Sequence, residues 1–139
     1  MTATPPALLD TDMLSEVMRD RDPHVLDSAK HYLSEHGRFT FSIITRYEIL
    51  RGLKAREATR QVALFERQCA RSIVLPLTDQ IIVQATDIYA GLYKRGELVS
   101  DADILIAATA VVHDFTLITG NVGHFKRIPG LRVLSWRSV

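Results

Sequence analysis

Short apolar runs alternate with longer amphipathic segments along most of the chain. The short runs predict five strands, at residues 7–9, 39–43, 73–75, 116–119 and 132–134. The longer segments repeat apolar residues at helical spacing, which predicts helices at 13–18, 45–53, 58–69, 79–93 and 104–113, and another between Pro23 and Gly37. Compact apolar strands separated by helices predict an α/β fold, with a parallel sheet covered by helices on both faces.

The composition limits the number of domains and the kinds of binding partner, but it does not identify a partner. The chain has 139 residues, 47% of them hydrophobic, and no internal repeat, so we expect one domain spanning residues 1–139. A net charge of +1 argues against a strongly basic coat for duplex nucleic acid. The lone Cys69 cannot form an internal disulfide, which favours the cytoplasm. Neither a secretory signal nor a membrane anchor is recognisable, so no membrane partner is expected.

Three acidic residues stand where predicted strands meet predicted helices. Asp10 directly follows the first strand, while Glu48 and Asp103 fall in the first turns of two later helices. Ligands of parallel sheets bind beyond the carboxyl ends of the strands, so we expect these acids to converge at one edge. Converging carboxylates repel one another unless a hard cation lies among them, which indicates Mg²⁺, with Mn²⁺ as a substitute. Such an ion leaves positions for a phosphate oxygen and a water, the requirements of phosphodiester hydrolysis.

Each acid also has a purely structural interpretation. Thr45-x-x-Glu48 and Ser100-x-x-Asp103 both match the capping box, in which the acid accepts from the backbone amide of the residue that caps the helix. Asp10 could serve only to form a turn, although an ionised carboxylate directly after a buried strand requires a partner. The joint arrangement of the three acids therefore carries more weight than any one of them.

Four sequence blocks together resemble a known family. LLDTDMLS, SIITRYEILRGL, DADILIAATA and LITGNVGHFKRIPGL are similar, in order and spacing, to PIN-domain ribonucleases of the VapC toxin type, over nearly the whole chain. The resemblance implies a three-layer α/β/α sandwich with a central parallel sheet. It also implies dependence on Mg²⁺ or Mn²⁺ and endonucleolytic cleavage of RNA, with tRNA or rRNA as the expected substrate and arrest of translation as the result.

The resemblance assigns roles to single residues. It makes three carboxylates both catalytic residues and metal ligands, namely Asp10, Glu48 and Asp103. It implies hydrogen-bonding support from two hydroxyls, those of Thr11 and Thr119. Two more acids, Asp12 and Asp101, are expected to cap their helices or to support the ligands rather than to bind metal directly.

Asn121 departs from the family pattern, because it occupies a catalytic position where many relatives carry a fourth acid. An amide oxygen can bind a cation but brings no negative charge, so we expect one tightly held metal and recruitment of any second by RNA. The alternative is that Asn121 merely follows Gly120 in a left-handed turn. His124, three residues later, is expected to be a partly exposed polar residue rather than a contact of the site.

Partners follow from the same resemblance. It implies a cognate VapB-type antitoxin, a homodimer, and contact with DNA only through the antitoxin. The cationic residues Arg46, Arg51 and Lys54 are candidates for binding RNA phosphates, although each could equally be a solvated surface charge. Apolar residues of the early helices are interpreted either as core or as a surface for the antitoxin or a second subunit, namely Val25, Tyr32, Ile49, Leu50 and Leu53.

Two other functions remain open from the sequence. Asp10-Thr-Asp12 after a strand matches the aspartyl nucleophile motif of haloacid-dehalogenase-like phosphatases, which would form a covalent phosphoaspartate. A non-catalytic PIN-like module that only binds RNA or protein is the second alternative, and Asn121 makes it plausible. Metal-dependent cleavage of RNA would distinguish the ribonuclease from both.

Overall fold

Five strands and seven helices make up residues 4–137, the part of the chain that the computed structural model describes. The strands are β1 (Ala7–Leu9), β2 (Thr40–Ser42), β3 (Ile73–Leu75), β4 (Thr116–Ile118) and β5 (Val133–Leu134). The helices are α1 (Thr11–Arg19), α2 (Pro23–His36), α3 (Ile43–Ala55), α4 (Thr59–Ala70), α5 (Asp79–Lys94), α6 (Asp101–His113) and α7 (Val122–Phe125). No helix within residues 4–137 is both long and apolar enough to cross a bilayer.

All five strands pair in parallel, in the order β3-β2-β1-β4-β5. Leu9 of β1 lies opposite Phe41 of β2 on one side and Ile118 of β4 on the other. The chain therefore winds one way from β1 to β3 and the other way from β4 to β5. In sheets of this kind, the connections diverge at the point of reversal and leave a crevice beyond the carboxyl ends. Here that point lies between β1 and β4.

Successive side chains of a strand point to opposite faces of the sheet, and each face has its own core. Leu8 and Leu117 belong to a cluster that is completed by α5 and α6. Leu9 and Phe41 belong to a second cluster, completed by buried residues of α1, α2 and α4 and by Trp136. The predicted three-layer α/β/α sandwich with a central parallel sheet is confirmed.

Helix α5 buries the apolar face that its sequence predicts. Its predicted apolar stripe, Ile81, Ala85, Ile88 and Leu92, is buried in the first core cluster, while the intervening positions are mostly exposed. The apolar residues singled out in the early helices differ in how deeply they are buried. Val25 and Tyr32 are buried, whereas Ile49, Leu50 and Leu53 are only partly buried against the second cluster.

Several predicted boundaries of helices and strands are wrong. The boundary at Ser42 affects the site, because it places Glu48 beyond the first turn of its helix. The helix expected at 45–53 is Ile43–Ala55, because Ser42 ends the strand in an extended conformation and its hydroxyl accepts from the N–H of Ile44. The second strand is correspondingly shorter than residues 39–43. Helix α1 begins at Thr11, before the predicted residue 13, because Asp10 is its N-cap. Helix α7 was not predicted, since four residues give no detectable periodicity.

Candidate metal centre

Asp10 lies at the carboxyl end of β1, where the sheet reverses its winding. Its backbone N–H donates to the carbonyl of Ile118 at 3.0 Å, which extends the pairing of β1 with β4. Its Oδ1 accepts from the N–H of Met13 at 2.8 Å and so caps α1, while its Oδ2 accepts from the hydroxyl of Thr119 at 2.5 Å. The residue is only 5% exposed. The carboxylate is therefore fixed between the first turn of α1 and the end of β4.

The environment of Asp10 disfavours its charge. Burial raises the pKa of this carboxyl from its ordinary 3.8 to about 6, although the hydrogen bonds from Thr119 and Met13 oppose the rise. The negative charges of Asp12 and Asp103 raise the pKa further, which places Asp103 within electrostatic reach of Asp10. A buried carboxylate beside other acids is stabilised by a neighbouring cation more than an exposed carboxylate would be.

Glu48 reaches the same region through the neighbour of Asp10 in the chain. The hydroxyl of Thr11 donates to Glu48 Oε1 at 2.6 Å, and the hydroxyls of Thr11 and Thr45 are 3.1 Å apart. Glu48 Oε2 also lies 3.7 Å from Nη2 of Arg51. The capping-box interpretation of Thr45 and Glu48 is wrong, because Thr45 lies inside α3 and Glu48 lies beyond its first turn.

Asp103 lies in the first turn of α6, as predicted, but it makes only half of a capping box. Its N–H donates to the hydroxyl of Ser100 at 3.2 Å, which makes Ser100 the cap. Its Oδ2 lies 3.0 Å from Nε2 of His124. The expectation for His124 missed this contact, since the ring is partly buried and holds a predicted metal ligand. The sequence did carry a signal for this contact. The short GNVGHF segment directly follows Thr119, so it keeps His124 near the end of β4.

The remaining candidate residues differ in their burial and contacts; they are Thr119, Asn121, Asp12 and Asp101. Thr119 is fully buried, and its hydroxyl accepts from the N–H of Asn121 at 3.0 Å while donating to Asp10. Asn121 has a φ of −116°, so the left-handed turn considered from the sequence is wrong. Asp12 and Asp101 are exposed in the first turns of their helices. The cap roles considered for both are also wrong, because other residues cap these helices.

The chemistry of these donors suits a hard divalent cation, although the acids are not gathered around one point. Within residues 4–137, no three carboxylate, imidazole or thiol side chains lie close enough together to hold a metal ion as they stand. Glu48 is drawn to Thr11, and Asp103 is drawn to His124. Rotation of these two partly exposed side chains toward Asp10 is therefore part of any shared site. The assignment of ligands stays a prediction.

Two depressions adjoin α3. A cavity of about 370 Å³ between α1, α3 and α4 has Thr11 and Glu48 in its wall, next to the apolar side chains of Met18, Ile49 and Leu53. A second depression, of about 380 Å³, is lined by all three predicted RNA-binding residues, Arg46, Arg51 and Lys54, together with Ile43, Tyr47 and Leu50. The first depression is continuous with the candidate metal centre through Glu48.

Comparison with known proteins assigns the class. The model of the PIN domain family matches residues 7–131, and the chain belongs to that family. PIN-domain ribonucleases generally depend on a divalent metal. The parallel sheet, and an acid at its point of reversal, are the features of this structure that bear on that chemistry.

Within the family, the similar proteins carry the name VapC. The chain is 31% identical to ribonuclease VapC1 of Methanocaldococcus jannaschii, over 91% of this chain and 85% of that protein. It is 28% identical to the tRNA(fMet)-specific endonuclease VapC of Salmonella typhimurium, over 93% and 96%. The crystal structure of DNA-bound VapBC from Salmonella typhimurium superposes with a TM-score of 0.84 at 28% identity, covering 96% of this chain and 99% of the other. The prediction of a VapC-type PIN domain is confirmed.

Proposed function

We propose that this chain is a divalent-metal-dependent endoribonuclease toxin of a type II toxin-antitoxin pair. It hydrolyses phosphodiester bonds of RNA, with tRNA or rRNA as the substrate class, and thereby stops translation. The observation that carries the proposal is the buried Asp10 at the point of sheet reversal, fixed by Met13 and Thr119 in a chain that belongs to the PIN family. The ribonuclease names of the VapC relatives support the choice of reaction.

Asp10, Glu48 and Asp103 are the residues that would hold Mg²⁺, with Mn²⁺ as a substitute. When bound, such a cation supplies positive charge to the scissile phosphate and activates the attacking water. The donor set favours one strongly bound ion, because Asn121 brings an amide and no fourth negative charge to this edge of the sheet. Titration that finds two tightly bound ions without RNA would contradict this stoichiometry.

The side chains of this protein supply orientation. Both oxygens of Asp10 accept hydrogen bonds, so the carboxylate cannot rotate freely before the substrate arrives. Thr11 holds Glu48, and His124 holds Asp103, each through one oxygen of the carboxylate. Asp10 is thus preorganised for the ion. Glu48 and Asp103 would turn toward it with their second oxygens, while Thr11 and His124 limit how far each side chain can move.

RNA would approach over α3. Arg46 is paired with Glu66 of α4, and hydrogen bonding to Glu66 raises the pKa of the guanidinium, so this cation also holds α3 against α4. Arg51 lies 5.1 Å from the ring centre of Tyr47, and Lys54 is exposed in the last turn of the helix. These cations position the RNA backbone without reading its sequence.

A VapB-type antitoxin is the proposed partner, and the cavity beside Glu48 is the surface proposed to receive it. Its wall combines the apolar side chains of Met18, Ile49 and Leu53 with charged residues, as expected of a groove that binds an amphipathic segment. The similar Salmonella typhimurium structure is a DNA-bound VapBC complex. We therefore propose that this chain forms a homodimer that meets DNA only through its antitoxin. We also propose that the toxin acts in the cytoplasm, where tRNA and rRNA substrates are found.

The phosphatase alternative receives no support from the comparisons. The family model that matches residues 7–131 is that of the PIN domain, and the similar proteins are named ribonucleases. The non-catalytic alternative rests on Asn121 alone. Binding of RNA without cleavage under any metal condition would favour that alternative.

One experiment tests the proposal directly. Antitoxin-free protein is incubated with total tRNA and rRNA in Mg²⁺, in Mn²⁺ or in chelator, beside the variants Asp10→Asn and Asp87→Asn. Asp87 is an exposed residue of α5, so its variant makes the same chemical change on the surface. We expect cleavage with either metal by the wild type and by Asp87→Asn, and none in chelator or by Asp10→Asn. Metal-independent cleavage, or full activity of Asp10→Asn, would refute the assignment.

A further inference from the structure

A cation from the last part of the chain lies at the same sheet edge as the acids. Arg137 directly follows Trp136, whose buried ring packs against Tyr32 and Phe39 with centroid distances of 5.9 and 6.3 Å. Trp136 therefore anchors the segment that leaves β5. Because β5 is parallel to β4, this segment emerges at the carboxyl edge of the sheet, as Asp10 does.

The guanidinium of Arg137 is held by two other elements of the site. It pairs with Glu16 of α1 through Nη2, and its Nη1 donates to the carbonyl of Gly120 at 3.4 Å. The hydrogen bond to Glu16, and then the negative charges of Glu16, Asp12 and Asp10, raise the pKa of Arg137. The cation is thus within electrostatic reach of the carboxylate at the centre of the site.

Gly120 makes room for this arrangement. A Cβ atom at this position would lie 2.2 Å from Cζ of Arg137, which is far closer than atoms can approach. The φ angle of Gly120 is not among the positive values found at Gly37, Gly96 and Gly130, so the backbone itself does not require glycine here. The absent side chain matters because the guanidinium occupies its place.

Glu16 is placed to hold Arg137 rather than to be solvated. Its side chain is 20% exposed, and its Oε2 is buried with no hydrogen-bond partner among the described residues. A buried unpartnered oxygen carries a cost that an ordinary surface ion pair does not. The pair with Arg137 offsets that cost, and it leaves further N–H donors of the guanidinium uncommitted on a side chain that is 41% exposed.

The phosphates of RNA are repelled at this edge, because several carboxylates lie along it. A fixed cation at the same edge reduces that repulsion, and a guanidinium can donate two parallel hydrogen bonds to one phosphate. We propose that Arg137 binds a backbone phosphate of the RNA strand next to the scissile phosphate, with Glu16 and Gly120 positioning its guanidinium. This inference rests on the proposed ribonuclease function and adds a substrate-binding residue to it.

The same strand provides a matched control. Arg132 precedes β5 and pairs with Asp114 at 2.9 Å, at the opposite end of the strand from Arg137. Both arginines are partly exposed and paired with one carboxylate, but only Arg137 lies at the edge that carries Asp10. The variants Arg137→Gln and Arg132→Gln therefore remove the same charge from the two ends of one strand.

Binding and turnover test the proposal together. Dissociation constants for a short single-stranded RNA are measured over a range of salt concentrations, in the Asp10→Asn background so that RNA is not cleaved. We expect Arg137→Gln to weaken binding roughly three- to tenfold and to lower the salt slope by about 0.7, as for one lost phosphate contact. With Asp10 intact, KM should rise by a similar factor while kcat stays within about twofold. Arg132→Gln should leave all these quantities unchanged.

A second variant separates loss of the charge from its displacement. Gly120→Ala keeps the cation but pushes the flexible end of Arg137 out of its place, so we expect a similar weakening of RNA binding. In the Arg137→Gln background, Gly120→Ala should then cause little further loss. Equal RNA affinity and KM for Arg137→Gln and wild type would overturn the inference, as would an undiminished Gly120→Ala effect in that background. Absence of RNA cleavage by the wild type would instead overturn the proposed function itself.

Discussion

Replacing Asp10 by asparagine should make the metal-free protein more stable, although it removes a central residue of the site. The carboxylate is 5% exposed, and burial raises its pKa from 3.8 to about 6. A difference of one unit between the pKa values of the folded and unfolded states corresponds to about 1.4 kcal/mol of folding free energy. At neutral pH, the buried charge therefore costs about 3 kcal/mol of folding free energy, which a neutral amide avoids.

Part of that gain is lost through hydrogen bonding. Asparagine can still cap α1 at the N–H of Met13, but one of its terminal atoms is a donor and cannot accept from the hydroxyl of Thr119. A weakened buried hydrogen bond costs about 1 kcal/mol. The net expectation for Asp10→Asn is a gain of about 2 kcal/mol, or on the order of 6 °C in Tm.

The pH dependence gives the sharper test. Because folded Asp10 has a higher pKa than unfolded Asp10, the folded chain binds the proton more tightly, and the wild type loses stability as pH rises from about 4 to about 6. Above that window, the full cost is present. Urea unfolding in EDTA at several pH values should show the advantage of Asp10→Asn growing through this range. The exposed control Asp87→Asn should stay within about 0.5 kcal/mol of wild type.

Metal should reverse the order of stability. Mg²⁺ at a hundredfold excess over its dissociation constant stabilises a folded protein by about 2.7 kcal/mol, so the wild type should gain and Asp10→Asn should gain much less. If Asp10→Asn in EDTA is no more stable than wild type at neutral pH, the buried charge of Asp10 does not carry the expected cost. The same conclusion follows if the difference between the two proteins does not change between pH 4 and 6.5.

Three further expectations follow from single contacts. Thr119→Val removes the buried hydroxyl that donates to Asp10 and should cost about 1–3 kcal/mol in urea unfolding, whereas Thr119→Ser should cost much less. His124→Ala should weaken Mg²⁺ binding about tenfold by calorimetry because Asp103 loses its partner, and His124→Gln should recover part of that loss. Phe65→Ala empties a fully buried position in the second core cluster and should cost about 3–5 kcal/mol; a loss below about 1 kcal/mol would contradict the packing described here.

The helices and strands that could be predicted correctly have apolar residues in an unbroken run or at one regular spacing. The stripe of α5 has four buried residues at one spacing, and such a pattern fits only one face of a helix. The start of α3 was misplaced because Thr45-x-x-Glu48 matches a capping box as well as Ser42 matches an N-cap. Only the end of the strand at Ser42 decides between them, and that end depends on pairing with β3.

The candidate site shows the same division. Asp10, Glu48 and Asp103 could be selected from the sequence because each lies in one of the ordered motifs that resemble the family. Their hydrogen-bond partners could not be selected, since Thr11 and Glu48 are 37 positions apart and Asp10 and Thr119 are 109 apart. Contacts across such separations leave no local pattern.

From the amino-acid sequence alone we could predict the α/β class, the helix faces and the family, because each depends on local spacing or on ordered motifs. Folding of the whole chain sets which side chains share an edge of the sheet. It placed β4 beside β1, which brought Thr119 to Asp10, and it placed β5 beside β4, which carried Arg137 to Gly120 and Glu16. Strand order arises from packing of the whole chain rather than from any segment, so these contacts could be known only from the folded molecule.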